Sequence, residues 1–567
     1  MDNMPELSPI EAHERVIKQV FSDDYAFEIP AYQRPYAWET DQVRELLNDL
    51  LDAMDDPDTS GGVYFLGSIV LIKAPAAAQA KVVDGQQRLT TLTILLSVLR
   101  DLTSDPERRL DRGKYIYQKA NPDTGAAARH RLLLRERDRD FFHNHIQMAA
   151  ATTSLPETER LESSQLRLIE NATLLRSRLE QMDETRRDQL VAFIIQRCYL
   201  VVVAVPTAEA ARRIFTVLNA RGLDLTATDI LKADLLDRAG DEREDALAKR
   251  WEAVELELGR DSFVDLFGHI RMIHEREKPR SALETAFADK VPAFRGDAEE
   301  FIKNVLEPGA DAYGILNDPA EVRQLFGQEA SRAVKSLHRI DNKDWVAPAL
   351  LRLWRRQQGE GPAVARFLID LERLAYFLFV TRADANERMT RYANVMDEFD
   401  PRQERTAPDV GMQLTEAEKA DFRTGLDGPL YRKSRVCRPI LQRLDEALTA
   451  GGAEYDHPII SIEHVLPQTI APDSEWADLF PNLPERELWT HRLANLVLLT
   501  RRINTRASNW SFQRKKDEYF LGQDGAVPFH ITQQVREKLS WTVQVLDARQ
   551  TELLGKLSEV WRLGPAS

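Results

Sequence analysis

The sequence predicts an α+β fold that is predominantly helical. Runs rich in branched and aromatic residues, which favour strands, occur in the first 240 residues and again in a short segment near the C-terminus. Between them, residues 241–450 repeat apolar side chains at helical spacing, without a clear strand pattern. Hydrophobic residues make up 43% of the chain and charged residues 29%, which is typical of globular proteins.

The length of 567 residues is sufficient for about three or four domains. We predict an α/β domain at residues 1–240, a helical middle domain at 241–450 and a C-terminal domain at 451–567. Gly451 and Gly452 mark the last boundary, because paired glycines interrupt helical periodicity.

Composition excludes several classes of protein. No run approaches the roughly 18 apolar residues of a membrane helix, and the N-terminus carries acids instead of a secretory signal pattern. Cys198 and Cys437 are the only cysteines, which indicates neither a disulfide framework nor a cysteine-rich zinc site. We therefore expect a cytoplasmic location and no membrane partner. The net charge of −15 argues against a protein that coats nucleic acid without specificity.

The first 240 residues predict a mixed set of strands and helices. In chain order, they are strand 25–30, helix 41–54, strands 63–73 and 81–84 as a hairpin, helix 86–100, strand 199–205, helix 209–219 and a helix from Thr226.

Residues 82–92 (VVDGQQRLTTL) predict a strand, a glycine turn and the start of a helix. Amides at a helix N-terminus attract phosphate, and glycine lets the backbone come close to it. Arg88 would add a guanidinium group that can bind two phosphate oxygens, and Asp84 could position a metal or a water molecule. An ordinary strand-to-helix turn with Arg88 at the surface explains the same pattern.

Two further segments favour the phosphate-binding interpretation of residues 82–92 over the ordinary turn. Residues 29–38 (IPAYQRPYAW) combine stacking surfaces with an arginine, although a proline-rich turn with buried aromatics is the alternative. Residues 215–225 (FTVLNARGLDL) predict a helix that ends at a glycine, followed by Asp229 and Lys232; here a plain glycine C-cap is the alternative.

The C-terminal segment combines side chains suited to phosphodiester cleavage. Residues 461–468 (SIEHVLPQ) place Glu463 and His464 at the end of an apolar run, and residues 493–499 (LANLVLL) precede Asn504. Glu, His and Asn brought together can hold one divalent metal beside a general base.

A basic run overlaps this segment. Residues 491–516 contain seven basic residues and no acid, which suits a phosphate backbone; a solvated helix face is the alternative. Of these, the predicted DNA-binding residues are Arg501, Arg502, Arg506, Arg514, Lys515 and Lys516.

These motifs together resemble a known family. The pattern IPxYQRPYxW, VVDGQQRLTTL and FxxLNxRGxxLxxxDxxK is similar to the DGQQR-containing domain of GmrSD-type (type IV) restriction proteins, and EHVLPQ…NLVLLxxxxN resembles the HNH nuclease domain that follows it there. The resemblance covers roughly residues 10–240 and 450–530, in the order found in fused single-chain members. The middle domain carries no motif of the family.

The resemblance implies a ParB-like N-terminal domain that binds and hydrolyses nucleoside triphosphates, and a C-terminal ββα-metal HNH domain. The implied nucleotide site contains Asp84, Gly85, Gln86, Gln87 and Arg88, with Tyr32, Gln33 and Arg34 beside them. In the nuclease, His464 would be the general base, Glu463 and Asn504 would hold Mg²⁺ or Mn²⁺, and Asn495 would orient the loop and His464.

The resemblance therefore predicts a nucleotide-regulated, metal-dependent DNA endonuclease of anti-phage defence, which restricts or senses modified foreign DNA. The predicted partners are DNA and a nucleoside triphosphate, and homo-oligomerisation stays open. A nucleotide-gated DNA-binding or scaffold protein with a vestigial nuclease is the alternative, and an NTPase with little DNA role is a third.

Overall fold

The computed structural model describes residues 11–56, 63–75, 77–120, 127–159, 161–207, 210, 226–398, 411–449, 460–500, 510–519 and 529–564. The chain divides into two compact units. The first comprises Met1–Glu257 with Ala293–Ile302, and the second comprises Leu258–Pro292 with Lys303–Ser567. The predicted α+β, predominantly helical fold class is confirmed.

The first unit contains a mixed six-stranded sheet with the order β1-β8-β3-β4-β2-β7. β3 pairs with β8 and β2 with β4 in parallel, whereas β3 and β4 form the predicted antiparallel hairpin. A separate small sheet pairs β5 with β6. The strands are β1 Glu11–Val16, β2 Ala26–Glu28, β3 Tyr64–Ile72, β4 Gln79–Asp84, β5 Tyr117–Gln118, β6 Arg129–His130, β7 Leu132–Leu133 and β8 Cys198–Val205.

Helices surround this sheet or lie at the limits of the first unit. They are Ile17–Val20, Thr40–Asp55, Gln86–Asp101, Pro106–Gly113, Glu136–Phe142, Ser163–Glu180, Glu184–Arg197, Ala227–Ala239, Asp241–Leu258, Pro292–Arg295 and Ala298–Phe301, with short non-α turns at His143–Gln147 and Ala151–Thr153.

The sheet separates two apolar clusters, as the alternation of side chains along a strand requires. Ile69 and Leu71 of β3 belong to the main core, while Val70 packs on the opposite face. Helix Gln86–Asp101 lies in the main core and is buried along nearly its whole length. Its N-terminal turn, immediately after β4, is therefore held in place by both the sheet and the core.

The second unit is mostly helical. Its helices are Arg260–Glu275, Leu283–Lys290, Glu307–Asn317, Pro319–Phe326, Gln328–Leu337, Val346–Trp354, Gly361–Val380, Ala385–Asp397, Glu416–Asp427, Ser434–Leu448, Glu475–Leu479, Leu483–Thr490, Phe512–Tyr519, His530–Arg536 and Val543–Trp561, with short non-α turns at Ile302–Leu306, Leu430–Arg432 and Leu493–Asn495.

One antiparallel ribbon lies among these helices, formed by β9 (Ile460–His464) and β10 (Leu496–Thr500). Helix His530–Arg536 borders β10, because the Thr532 hydroxyl donates to the carbonyl oxygen of Leu498 over 2.6 Å. Helices from both sides of the predicted 450/451 boundary share a core, since Trp561 stacks on Tyr376 and Phe422. The boundary itself lies outside the described residues, and the three-domain division stays a prediction.

The predicted elements of the first unit agree closely with the structure. Helix 41–54 is Thr40–Asp55, helix 86–100 is Gln86–Asp101 and strand 199–205 is Cys198–Val205. Predicted helix 209–219 lies outside the described residues, apart from residue 210. In the part of the chain that the structure describes, no helix has both the length and the apolar character needed to span a membrane.

Candidate functional site

A cavity of about 280 Å³ opens where β4 meets helix Gln86–Asp101. All eight residues predicted for the nucleotide site line it: Tyr32, Gln33, Arg34, Asp84, Gly85, Gln86, Gln87 and Arg88. Trp38, Phe65, Gly67, Ser68, Val83 and Asp229 complete the lining. The structure therefore brings the first two N-terminal motifs together at one helix N-terminus. Asn219 and Arg221 of the third motif lie outside the described residues.

Gly85 forms the turn into the helix and has a φ of +93°. This left-handed conformation favours glycine. A Cβ at this position would lie 2.3 Å from Cγ2 of Ile69 in β3. The turn can therefore pack against the core only because the side chain is absent.

Three glutamines hold the loop before helix Thr40–Asp55 against this turn. Gln33 Nε2 donates to the Val83 carbonyl oxygen over 2.8 Å, and Gln86 Nε2 donates to the Arg34 carbonyl oxygen over 2.7 Å. Gln87 Oε1 accepts from the backbone N–H of Ala37 over 2.8 Å. These side chains shape the wall of the cavity through bonds to the protein backbone.

Arg88 is positioned by the neighbouring strand. Its Nη1 donates to the Ser68 carbonyl oxygen over 2.9 Å, and a Cβ at Gly67 would lie 3.0 Å from its Cζ. Gly67 thus leaves room for the guanidinium group at the cavity. Sequence reasoning missed Gly67, although a glycine inside a strand pattern indicates a close approach.

Asp229 lines the cavity from helix Ala227–Ala239, while Lys232 lies deeper. Asp229 closes a capping box with Thr226, whose backbone N–H donates to Oδ2 over 2.9 Å. Lys232 donates to Glu252 over 2.8 Å instead of reaching the cavity lining. The third motif therefore contributes one carboxylate to the pocket and one cation to a buried ion-pair network.

In the second unit, His464 ends strand β9 opposite Leu496 of β10. Its side chain is 5% exposed and meets the ring of Tyr431 edge-on, with centroids 4.1 Å apart. Nε2 of Gln468 lies 3.4 Å from Nδ1 of His464. The other ring nitrogen, Nε2 of His464, has no hydrogen-bond partner among the described residues. Burial, reinforced by His491 and Lys515, lowers the pKa of His464 to about 3. The imidazole is therefore neutral near pH 7 and is a weak base in this environment.

His491 and Tyr431 form the wall beside His464. The two rings stack with centroids 5.8 Å apart, and the centroid of His491 is 5.7 Å from that of His464. Nδ1 of His491 is buried and has no hydrogen-bond partner in the described part of the chain. Burial, together with Arg432, lowers the pKa of His491. No sequence signal links Tyr431 to His464.

Asn495 fixes the loop that follows His464. Its Oδ1 accepts from the Leu466 N–H over 2.7 Å and from Trp541 Nε1 over 3.1 Å. Its Nδ2 donates to the carbonyl oxygens of Leu466 and Thr490 over 2.9 and 3.0 Å. These four bonds use the whole capacity of the amide. Asn495 therefore acts on the shape of the loop and offers no remaining group to a metal.

Glu463 lies on β9 next to His464 and contacts a different neighbour. Lys515 Nζ donates to Glu463 Oε1 over 2.9 Å and to the His464 carbonyl oxygen over 2.7 Å. Lys515 is only 3% exposed, and burial lowers its pKa against the opposing effect of Glu463. The predicted DNA-binding role of Lys515 does not agree with this placement, because its ammonium is buried and donates to two internal acceptors.

The rest of the basic run is only partly described. Arg514 is exposed, with its guanidinium 4.1 Å from the ring centroid of Trp510, and Lys516 donates to the Lys538 carbonyl oxygen. Asn504, Arg501, Arg502 and Arg506 lie outside the described residues. The predicted contact between Asn504 and His464 therefore stays a prediction.

Together, these features define a two-part protein. One compact unit has a cavity at a helix N-terminus, and the other has a buried imidazole at the end of a β-ribbon, adjacent in sequence to a carboxylate. The family model of the GmrSD restriction endonuclease N-terminal domain matches residues 17–236. The model of the C-terminal domain of GmrSD restriction endonucleases matches residues 417–556. The chain belongs to the GmrSD restriction endonuclease family. The comparison with curated proteins found no match.

The two matches contain both candidate sites. The N-terminal match spans the whole cavity lining from Tyr32 to Asp229. The C-terminal match begins before Tyr431 and ends after Trp541, so it includes the described contacts of His464 and Asn495. Membership identifies the protein as a restriction endonuclease of phage defence, for which DNA is the implied partner.

Proposed function

We propose that this protein is a nucleotide-regulated, metal-dependent HNH endonuclease that restricts modified foreign DNA. The observation that carries the proposal is the placement of His464, a buried neutral imidazole at the end of β9, next to Glu463 and above a loop fixed by Asn495. Such a group suits the general base of phosphodiester hydrolysis in an endonuclease family.

In the proposed reaction, His464 accepts a proton from the water that attacks the phosphorus atom, and the bond to the 3′ oxygen breaks. The negative DNA phosphate would raise the pKa of the nearby imidazole from its low value and so make it a stronger base. Asn495 fixes the conformation of the loop after His464, and Tyr431 limits the orientations of the His464 ring.

The donor set at β9 fits a hard divalent cation such as Mg²⁺ or Mn²⁺. Glu463 offers carboxylate oxygens, and we propose Asn504 as a second oxygen ligand. The described residues contain no group of three His, Cys, Asp or Glu side chains that could hold a metal. Mg²⁺ commonly takes one or two protein ligands and completes its shell with water and phosphate oxygens, which agrees with this sparse set. When bound, the cation would stabilise the charge on the leaving oxygen.

The cavity of the first unit supports a nucleoside triphosphate site with NTPase activity. It combines the N-terminal amides of helix Gln86–Asp101 with the guanidinium of Arg88 and the carboxylate of Asp84. Amides and a guanidinium attract phosphate oxygens, and a carboxylate can orient a cation or a water molecule. We propose that nucleotide bound here regulates cleavage in the second unit.

The experiment that tests the nuclease assignment is plasmid cleavage by His464→Ala, with Mg²⁺ or Mn²⁺ and with and without ATP or GTP. We expect plasmid cleavage to fall by about 10²- to 10⁴-fold, the contribution typical of a positioned general base. The control His13→Ala removes an exposed imidazole in β1 and should cleave like the wild type. Metal-dependent cleavage retained by His464→Ala would contradict the assignment.

One observation favours a second candidate, a nucleotide-gated DNA-binding scaffold with a vestigial nuclease. Glu463 is already engaged by Lys515, which competes with a cation for the same carboxylate. Wild-type protein that binds DNA but converts no plasmid, whatever the metal, nucleotide or DNA modification, would favour the scaffold.

A further inference from the structure

Lys515 lies at the centre of the contacts that hold the end of β9. It projects from helix Phe512–Tyr519, and its ammonium reaches the carboxylate of Glu463 at 2.9 Å and the backbone oxygen of His464 at 2.7 Å. One side chain thus fastens both residues of the proposed catalytic pair to the same helix. A buried ammonium is tolerated because a carboxylate and a carbonyl accept from it.

The neighbours of Lys515 on the same helix behave differently. Arg514 is exposed, and Lys516 donates to the Lys538 carbonyl oxygen over 2.7 Å. Of these three successive basic residues, the first lies at the surface, the second forms an internal ion pair and the third bonds to the backbone of Lys538. With only 3% of its surface exposed, Lys515 is the least suited of the three to contact DNA.

We propose that Lys515 is a positioning residue of the nuclease site that holds Glu463 and the end of β9, and that its positive charge sets how tightly Glu463 binds a divalent cation. This inference rests on the proposed metal-dependent nuclease. The physical reason is that an ammonium and a divalent cation compete for one carboxylate and repel each other. The lower metal affinity is compensated because the carboxylate and the end of β9 are already held in position when DNA binds.

Two effects of opposite direction follow for Lys515→Met. Without the ammonium, Glu463 should bind Mn²⁺ more tightly, by about tenfold, because a nearby positive charge is removed. The cleavage rate at saturating Mn²⁺ should nevertheless fall by about 10- to 100-fold, the loss typical when a metal ligand loses the partner that orients it. A merely structural role would lower stability without tightening metal binding.

The test combines Mn²⁺ binding by calorimetry, single-turnover cleavage, and DNA affinity measured across a range of salt concentrations. The matched control is Lys516→Met on the same helix, which should keep the Mn²⁺ affinity of the wild type. DNA affinity and its salt slope should be unchanged in Lys515→Met. Weaker DNA binding with a salt slope reduced by about one unit would instead show that Lys515 contacts a phosphate, and would overturn the inference.

Lys515→Met leaves the partly buried Glu463 carboxylate without its ammonium partner, which by itself lowers stability. A double variant separates this loss of stability from the proposed effect on metal binding. Lys515→Met combined with Glu463→Gln removes both charges and should recover most of any lost stability, while Mn²⁺ affinity falls below that of the wild type. An Mn²⁺ affinity equal in Lys515→Met and the wild type would overturn the inference alone. A wild-type protein that binds no Mn²⁺, or that cleaves without a divalent cation, would overturn the proposed function and the inference with it.

Discussion

A single glycine joins the cavity at the N-terminus of helix Gln86–Asp101 to the core of the first unit. Gly85 turns the chain from β4 into helix Gln86–Asp101 with a left-handed φ, and the position of its missing Cβ is filled by Ile69. Ile69 is fully buried in the main core, where close packing leaves it little room to move. Any side chain at residue 85 must therefore displace either the core or the cavity wall.

Gly85→Ala should lower the free energy of unfolding by about 2–4 kcal/mol, since it adds a steric clash to left-handed strain. It should also weaken nucleotide binding, because the turn shifts. Gly359→Ala is the matched control, with a φ of +89° but no atom within 4 Å of its Cβ position. It should cost only the strain, about 1–2 kcal/mol. Urea unfolding of both variants measures this difference, and equal losses would contradict the role of Ile69.

A buried carboxyl group in the second unit makes stability depend on pH. Asp445 accepts from the backbone N–H of Ile531 over 2.7 Å, at the start of helix His530–Arg536. Burial raises its pKa to about 6, although the Ile531 N–H acts in the opposite direction. Between about pH 4 and pH 6 the folded state therefore binds more protons at this site than the unfolded chain, whose aspartates titrate near 3.9.

It follows that the contribution of Asp445 to stability is present below about pH 4 and declines as the pH rises to about 6. Asp445→Asn keeps an acceptor for Ile531 but does not titrate. The variant should match the wild type near pH 4 and be more stable at pH 7 by up to about 3 kcal/mol. Urea unfolding at several pH values measures this trend, and a difference independent of pH would contradict it.

At the scale of elements, an ion-pair network connects helix Asp241–Leu258 to the rest of the first unit. Glu252 on this helix accepts from Lys232 over 2.8 Å and also pairs with Arg135. Arg135 Nη1 in turn donates to the carbonyl oxygen of Gln33, a residue of the cavity lining. Glu252 is 13% exposed and both cations are buried, so its charge is needed to compensate theirs.

Glu252→Gln should lower the free energy of unfolding by about 3 kcal/mol, because Lys232 then stays buried without a compensating charge and Arg135 keeps only Asp138 as its partner. Glu162→Gln is the control, since Glu162 pairs with Arg137 at the surface and should change stability by less than about 1 kcal/mol. Chemical denaturation compares them. Similar small losses in both variants would show that the network is not important for stability.

The elements that sequence predicts best are those whose signal is local. The hairpin of β3 and β4 and the turn at Gly85 are encoded in consecutive residues. The eight pocket residues come from two separate segments, and only the family resemblance places them in one set. The contact of Tyr431 with His464 joins segments 33 positions apart (464 − 431) without any shared periodicity. Lys515 was misplaced for a related reason, because a run of basic residues does not show which of them turns inward.

At the scale of the whole molecule, the proposed regulator and the proposed nuclease lie in different compact units. The cavity residues fall within Met1–Glu257, and His464, Glu463 and Lys515 fall within Lys303–Ser567. No side chain of the described nuclease cluster lines the cavity. The proposed regulation would therefore be a coupling between two sites, which thermodynamics requires to be reciprocal.

If a nucleotide analogue raises or lowers DNA affinity by some factor, DNA must change the affinity for that analogue by the same factor. We expect His464→Ala, which should not cleave its substrate during the measurement, to show equal factors in both directions with a fluorescent ATP or GTP analogue. Arg88→Ala should lose nucleotide binding and with it any effect of nucleotide on DNA affinity. Arg44→Ala, which alters a surface arginine paired with Asp41, should keep both. Unequal factors in His464→Ala would show that the two measurements do not report one linked equilibrium, while a nucleotide effect that persists in Arg88→Ala would place the regulatory site elsewhere.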